Sequence, residues 1–202
     1  MRYPRPQKPT PYLDDPDVIL MQEFQQGNPA SFEKLLQKYY PRLLNFICRL
    51  IGNKETAEDL TQEVFIRVYK SAFSYNPRAQ FQTWIYTIAK NTALNELRRP
   101  QRGNVSLEDE LKIQPLTGKE SRPDYEILRE EQIAVIQAAI NSLPPQQRLA
   151  VILRRYEDFS YEEIAQTLNC SLPAVKSFLN RAKENLKDKL SALLEGEIKP
   201  SR

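Results

Sequence analysis

Between residues 67 and 102 the chain carries seven Arg and Lys residues, six aromatics and one acidic residue, Glu96. Cations follow phosphates, and aromatic rings stack on bases whose pairing has been broken. Side chains of these types at this density suit a single strand of nucleic acid. Within the stretch, Tyr75, Asn76, Arg78 and Gln82 gather around an Asn-Pro break, where amide and guanidinium groups can read the Watson-Crick edge of a base lifted from its stack. An aromatic platform under such a base is worth about 1–3 kcal/mol, against roughly 1.4 kcal/mol for one step of duplex stacking, so a few contacts offset local melting. Phe81 and Trp84 also fit the apolar stripe of a helix, and for these two packing competes with stacking.

A second set lies near the C-terminus, in SYEEIAQTLNCSLPAVKSFLNRAKENL. Ile164, Ala165 and Leu168 on one helix, and Val175, Leu179 and Ala182 on the next, can form a small crossed core across Asn169, Cys170 and Ser171. That is helix-turn-helix spacing, in which the second helix lies in the major groove of duplex DNA with its early residues at base edges. Lys176, Ser177, Asn180, Arg181 and Lys183 then point outward. Asn can pair with adenine, Arg or Lys with guanine, and the remaining cations with phosphate. The same periodicity describes an ordinary helical hairpin with a solvated charged face, and pattern alone does not separate the two.

Other chemistries have few means in this chain. It contains no His, which removes histidine triads, histidine-ligated metals and imidazole proton shuttles. Cys48 and Cys170 fall in different helical units without a CxxC pairing, and read as small buried thiols in a reducing compartment. No metal, cofactor or bond-making activity is expected. The segment MRYPRPQKPTPY lacks the apolar core of a signal peptide, and no run approaches the roughly 18 apolar residues of a membrane span. A cytoplasmic protein without membrane insertion is expected. At 202 residues, 41% hydrophobic and 27% charged, the chain can bury two small cores. A net charge of +3 is modest for a protein that grips a whole DNA site unaided, so a partner is expected.

The elements that hold these groups follow a helical period. Four prolines fall in the first dozen residues; each fixes φ and removes a backbone donor, so residues 1–13 are expected to form a flexible tail. From Asp14 to Gly27 a short amphipathic helix sets Val18, Met21 and Phe24 on one side. After Asn28-Pro29, a stripe of Phe32, Leu35, Leu36, Tyr39, Leu43, Phe46, Ile47 and Leu50 runs to Gly52. A third helix, near 55–73, buries Ala57, Leu60, Val64, Val68 and Ala72 and leaves Asp59, Gln62, Glu63 and Arg67 outside. A fourth, near 79–98, turns Phe81, Trp84, Ile85, Ile88 and Thr92 inward.

Residues 100–124, with Pro100, Gly103, Pro115, Gly118 and Pro123, read as a linker, and eight acidic against four basic residues over 108–131 make this connection negative. Helices follow near 124–141, 146–156, 161–168 and 172–194, with Ser160 and Glu163 as a capping box and Ser171 as a second cap. No alternation of apolar and polar residues is long enough to suggest a sheet. The fold class is all-α: two small helical domains, over 14–99 and 125–195, joined by a flexible linker, with a short tail over 196–202.

The strings AEDLTQEVFIRVYKS, FQTWIYTIAKNTALNELRR and LPPQQRLAVILRRYEDFSYEEIAQTLNCSLPAVKSFLNRAKENL, taken together and in this order, resemble the bacterial RNA polymerase sigma factors of the extracytoplasmic-function (ECF) type, in the sigma-70 family. The resemblance spans about residues 15–192. It implies a non-enzymatic promoter-specificity subunit that recognises two promoter elements and helps melt one. The DLTQEVF segment is similar to the part of sigma region 2 that docks on the clamp of the polymerase largest subunit, which implies Asp59, Gln62, Glu63 and Phe65 as contacts; a merely solvated acidic face is the plainer reading.

Tyr75 to Trp84 resembles the segment that reads and opens the minus-10 element. The resemblance implies Asn76, Arg78 and Gln82 as base readers beside Tyr75 and Trp84. Lys90, Asn91, Asn95, Arg98 and Arg99 would follow the backbone. The second domain is similar to sigma region 4, which reads the minus-35 element, and implies Ser171, Lys176, Ser177, Phe178, Asn180, Arg181 and Lys183 as its DNA face. Two positions depart from the family pattern. Phe178 stands where relatives commonly carry Arg, replacing a phosphate contact with an apolar surface suited to a thymine methyl. Pro77 stiffens a loop where glycine is frequent.

A flexible 100–124 segment has a root-mean-square span of about 25–30 Å, whereas DNA elements two turns apart are separated by roughly 70 Å. The linker must be drawn toward its limit of about 85 Å, and in the family the polymerase is the surface that holds it extended. The resemblance also implies an anti-sigma factor as a partner. A stand-alone helix-turn-helix regulator is the alternative.

Overall fold

Short polar and special residues set the ends of the helices. Asp15 caps α1 (Pro16–Gln25), its side chain accepting from the amide of Asp17. Asn28 caps α2 (Pro29–Ile51), with Pro29 at the first helical position, where its missing donor costs nothing. Gly52 ends α2 at φ 85°, returning its amide to the Cys48 carbonyl in the left-handed conformation that glycine adopts freely. Asn53 opens α3 (Lys54–Ser71), which tightens into a 3-10 turn over Ala72–Ser74. A loop then leads to α4 (Phe81–Arg98).

The computed structural model describes residues 12–99 and 135–197. The expected linker over 100–124 and most of both tails lie outside the described residues. The second domain comprises α5, described over 135–141, α6 (Pro145–Tyr156), α7 (Tyr161–Leu168) and α8 (Leu172–Glu197). Among the described residues the regular structure is helical throughout, and no helix is long and apolar enough to cross a membrane.

In the first domain, α1, α3 and α4 surround α2. Val18, Met21, Leu35, Tyr39, Leu43, Phe46, Val64, Phe81 and Ile85 are buried in one core. The aliphatic stripe of α2 sits as its spacing predicts, with one difference: Leu36 is 37% exposed. It lies at the margin of a stripe too wide for the helices that cover it. Phe32, half-buried, instead joins Phe24 and Tyr69 at ring distances of 4.8 and 5.5 Å. Asp17 is buried yet fully engaged, with the Lys38 ammonium at 2.6 Å and the Tyr39 hydroxyl donating to it at 2.6 Å. A buried carboxylate of this kind is tolerable only when so paired.

The two domains pack against each other and share a continuous apolar core. The Tyr86 ring lies between Phe46, at 5.1 Å, and Phe159 of the second domain, at 5.0 Å. Each domain also satisfies backbone carbonyls at a helix end of the other. Arg148 Nη1 and Gln137 Nε2 donate to the carbonyls of Leu50 and Arg49 in the last turn of α2. Lys90 on α4 donates to the Thr167 carbonyl, 2.8 Å away at the end of α7. Helix ends leave such carbonyls without intrahelical partners.

Candidate nucleic-acid interface

The loop between the 3-10 turn and α4 presents Asn76 and Arg78 to solvent, while Pro77 beneath them is buried. The Arg78 amide donates to the Asn76 carbonyl at 2.8 Å, a tight local turn that fixes their spacing. Gln82 and Trp84, both half-buried, follow on the first turn of α4. This arrangement offers amides and a guanidinium beside an aromatic surface, the combination that a base removed from its stack requires.

Tyr75 differs from its expected place. As a loop residue it is hard to assign to the core from sequence, yet it is only 8% exposed. Its ring packs 4.6 Å from Trp84 and 6.0 Å from Phe81, because the 3-10 turn rotates it under the loop. Burial, with Asp15 and Asp17 nearby, pushes its hydroxyl well above the ordinary tyrosine range, and it stays neutral. Tyr75 supports the loop from below, with the half-buried Trp84 ring beside it.

Along α4, Asn91, Asn95, Arg98 and Arg99 are exposed. Arg99 lies 3.5 Å from Glu96, a solvent-screened pair of little energetic weight. Lys90 does not join this row. It is 8% exposed, covered by α7, and burial lowers its pKa from the ordinary lysine value. On α3, Asp59 and Gln62 are exposed and Glu63 holds Arg67 at 2.6 Å, one turn along. Phe65 departs from its expected role as a contact: it is 6% exposed and its ring stacks on Tyr40 at 6.0 Å. The 3.6-residue period turns it inward, away from the solvent-facing Asp59 and Gln62.

The second domain has helix-turn-helix geometry. Ser160 and Glu163 form the reciprocal capping box at the start of α7. Asn169 ends α7 at φ 51°, and its side-chain type is among the few that enter the left-handed region readily. Ser171 caps α8, accepting from the Ala174 amide at 3.4 Å. Lys176, Asn180, Arg181 and Lys183 are exposed, and Ser177 and Phe178 are half-buried, with Phe178 packed partly on the core. The packing of the domains covers α7 with α4 and leaves this row of α8 residues open to solvent.

Two groups that matter to the loop escape the sequence reading. Asp15 Oδ2 accepts from the Phe81 amide at 3.0 Å, and Gln25 Nε2 donates to the carbonyls of Ala72 at 2.7 Å and Tyr75 at 3.1 Å. The Asp-Pro pair at 15–16 signals a helix cap, but nothing in the sequence signals its second, distant partner. At the domain contact, Glu157 also lies outside the sequence-based expectation: it is buried, accepts from the Tyr86 hydroxyl and lies 3.6 Å from Arg42.

Residues 35–103 match the family model for sigma-70 region 2, and residues 133–186 that for sigma-70 region 4. The chain is 35% identical to the RNA polymerase sigma-H factor of Pseudomonas aeruginosa, over 88% of this chain and 95% of that one. It is 33% identical to the ECF RNA polymerase sigma-E factor of Escherichia coli strain K12, over 88% and 96%. Among solved structures it is similar to the sigma factor RpoE in complex with the anti-sigma factor NepR from Bartonella quintana, with 26% identity, a TM-score of 0.61 and coverage of 79% of this chain and 96% of that one. The fold also matches CnrH in complex with the cytosolic domain of CnrY, at TM-score 0.64 and 21% identity, over 87% and 97%. Helix order, the helix-turn-helix, the two matched regions and near full-length similarity agree, and the chain belongs to the ECF sigma factors of the sigma-70 family.

Proposed function

We propose that this chain directs core RNA polymerase to promoters by reading one element closed and another open. On α8, Lys176, Ser177, Asn180 and Arg181 read the minus-35 duplex, with Lys183 on phosphate. The loop residues Asn76 and Arg78, with Gln82 and Trp84, capture bases of the minus-10 element as it opens. Asn91, Asn95, Arg98 and Arg99 guide the adjoining backbone. Asp59, Gln62 and Glu63 face the polymerase clamp, with Phe65 supporting them from within. The two working units are residues 14–99 and 125–195, joined by 100–124 as an extended negative strand on the polymerase. The protein performs no bond chemistry, works in the cytoplasm and is held in check by an anti-sigma factor, as the similar RpoE of Bartonella quintana forms a complex with NepR.

The observation that carries this reading is the pair of exposed polar rows, one on a fixed loop and one on a recognition helix, within the two matched regions. A stand-alone helix-turn-helix regulator leaves the region 2 match without a role. Footprinting paired with permanganate reactivity on a promoter bound by the holoenzyme tests the division of labour. Arg181→Ala should weaken the closed complex, whereas Asn76→Ala should preserve it and reduce permanganate reactivity. Equal loss of both signals in both variants contradicts the reading.

A further inference from the structure

The first turn of α4 begins with amides that have no partner within the helix. Gln80, at the cap position, supplies no side-chain bond. The Phe81 amide is instead taken by a residue from the far end of the domain's sequence, Asp15, through Oδ2 at 3.0 Å. The other carboxylate oxygen, Oδ1, accepts from the Asp17 amide at 2.9 Å. One carboxylate thus caps two helices, and its charge sits at the positive end of both.

The opposite end of the loop is held in a similar way. Gln25, the last residue of α1, donates through Nε2 to the carbonyls of Ala72 and Tyr75. Between these anchors Asn76, Arg78 and Gln80 are exposed. A helix of ten residues, about 15 Å long, therefore grips both ends of the loop. It is fixed to α2 in turn by Asp17 on Lys38 and Tyr39, and by the burial of Val18 and Met21. All of α1 precedes residue 35, where the region 2 match begins.

Resting on the reading of residues 75–84 as the minus-10 reader, we propose that Asp15 and Gln25 are positioning residues for promoter opening. By fixing both ends of the loop, α1 holds Asn76 and Arg78 in the shape that receives extruded bases before DNA arrives. A loop already in its bound shape loses less freedom on binding, so the brace adds to single-strand affinity without touching DNA.

The test uses the full chain with core polymerase. Its probe is a promoter fragment recovered by run-off transcription from a genomic library, together with a single-stranded oligonucleotide of its non-template strand across the melted segment. Asp15→Ser keeps a cap for α1 but is too short to bridge to Phe81; Gln25→Ala and Gln25→Glu remove the donor that grips the loop. Each variant is expected to bind the oligonucleotide about tenfold more weakly, the loss of roughly one hydrogen bond involving a charged or multiply bonded group. Permanganate reactivity should fall with it, while core affinity and the closed-complex footprint stay at the wild-type level. Wild-type oligonucleotide binding in these variants, with Asn76→Ala impaired, overturns the brace and leaves the minus-10 reading intact. An unimpaired Asn76→Ala overturns the reading itself and the brace with it. A parallel fall in core affinity and thermal stability assigns Asp15 and Gln25 to folding alone and overturns the positioning role.

Discussion

Phe65 shows the difference between a residue that meets solvent and one that holds an exposed face in place. Its neighbours Asp59 and Gln62 meet solvent, whereas its own ring is enclosed against Tyr40. Phe65→Ala is expected to lower stability by about 3 kcal/mol through the cavity it leaves, seen as a lower urea midpoint. Gln62→Ala should leave the midpoint unchanged and reduce affinity for core polymerase. At this scale the sequence is a partial guide. The exposed positions of Asn76, Arg78, Asn180 and Arg181 are legible because polar groups at a chain break or on the outer side of an amphipathic helix meet solvent. Lys90 is not, because a lysine on α4 has the same appearance whether its ammonium meets a phosphate or the Thr167 carbonyl. Tyr75 is misplaced for a related reason: a 3-10 turn of three residues alters which way the next side chain points, and periodicity does not register it.

Among the elements, α7 depends most on its ends. It has eight residues, too few to be stable on propensity alone, and the capping box adds to the packing of Ile164 and Leu168. Ser160→Ala is expected to destabilise the second domain by about 1 kcal/mol, measured by thermal unfolding, and to weaken minus-35 binding only as far as that unfolding predicts. The ends of these helices are legible in part: the Asn28-Pro29 start, the Gly52 stop and the Ser160 box are local chemistry. What α1 does for the loop is not legible. The bonds from Asp15 to Phe81 and from Gln25 to Tyr75 join positions far apart in sequence, and a local pattern contains no record of them.

The whole molecule is more closely joined than two modules on a linker suggest. The sequence predicts each core separately, but the apolar contact of Phe46, Tyr86 and Phe159 and the exchanged backbone bonds depend on a tertiary arrangement that neither core encodes by itself. Glu157 lies at this junction, facing Arg42 and Arg49 from α2 and Tyr86 from α4. Burial is the largest influence and raises its pKa above the ordinary carboxylate value, against the opposing pull of the Tyr86 hydrogen bond and the arginines. The packed form therefore binds a proton more tightly than a form with the domains apart. Packing is favoured below the ordinary carboxylate pKa and weakens as pH rises through the raised one. Small-angle scattering should show a radius of gyration that increases over this window, and Glu157→Gln should flatten the change; an unaltered profile in the variant would assign the dependence to another group.

The ammonium of Lys90 can have only one set of neighbours at a time. While it rests on the end of α7 it is lost to any duplex that meets α4, and that duplex displaces one fewer small ion from its atmosphere. Drawing the domains apart returns the charge and steepens the log-log dependence of DNA affinity on salt by about 0.9. A steeper salt dependence is the expected mark of a form with the domains apart, because the packed form hides this cation.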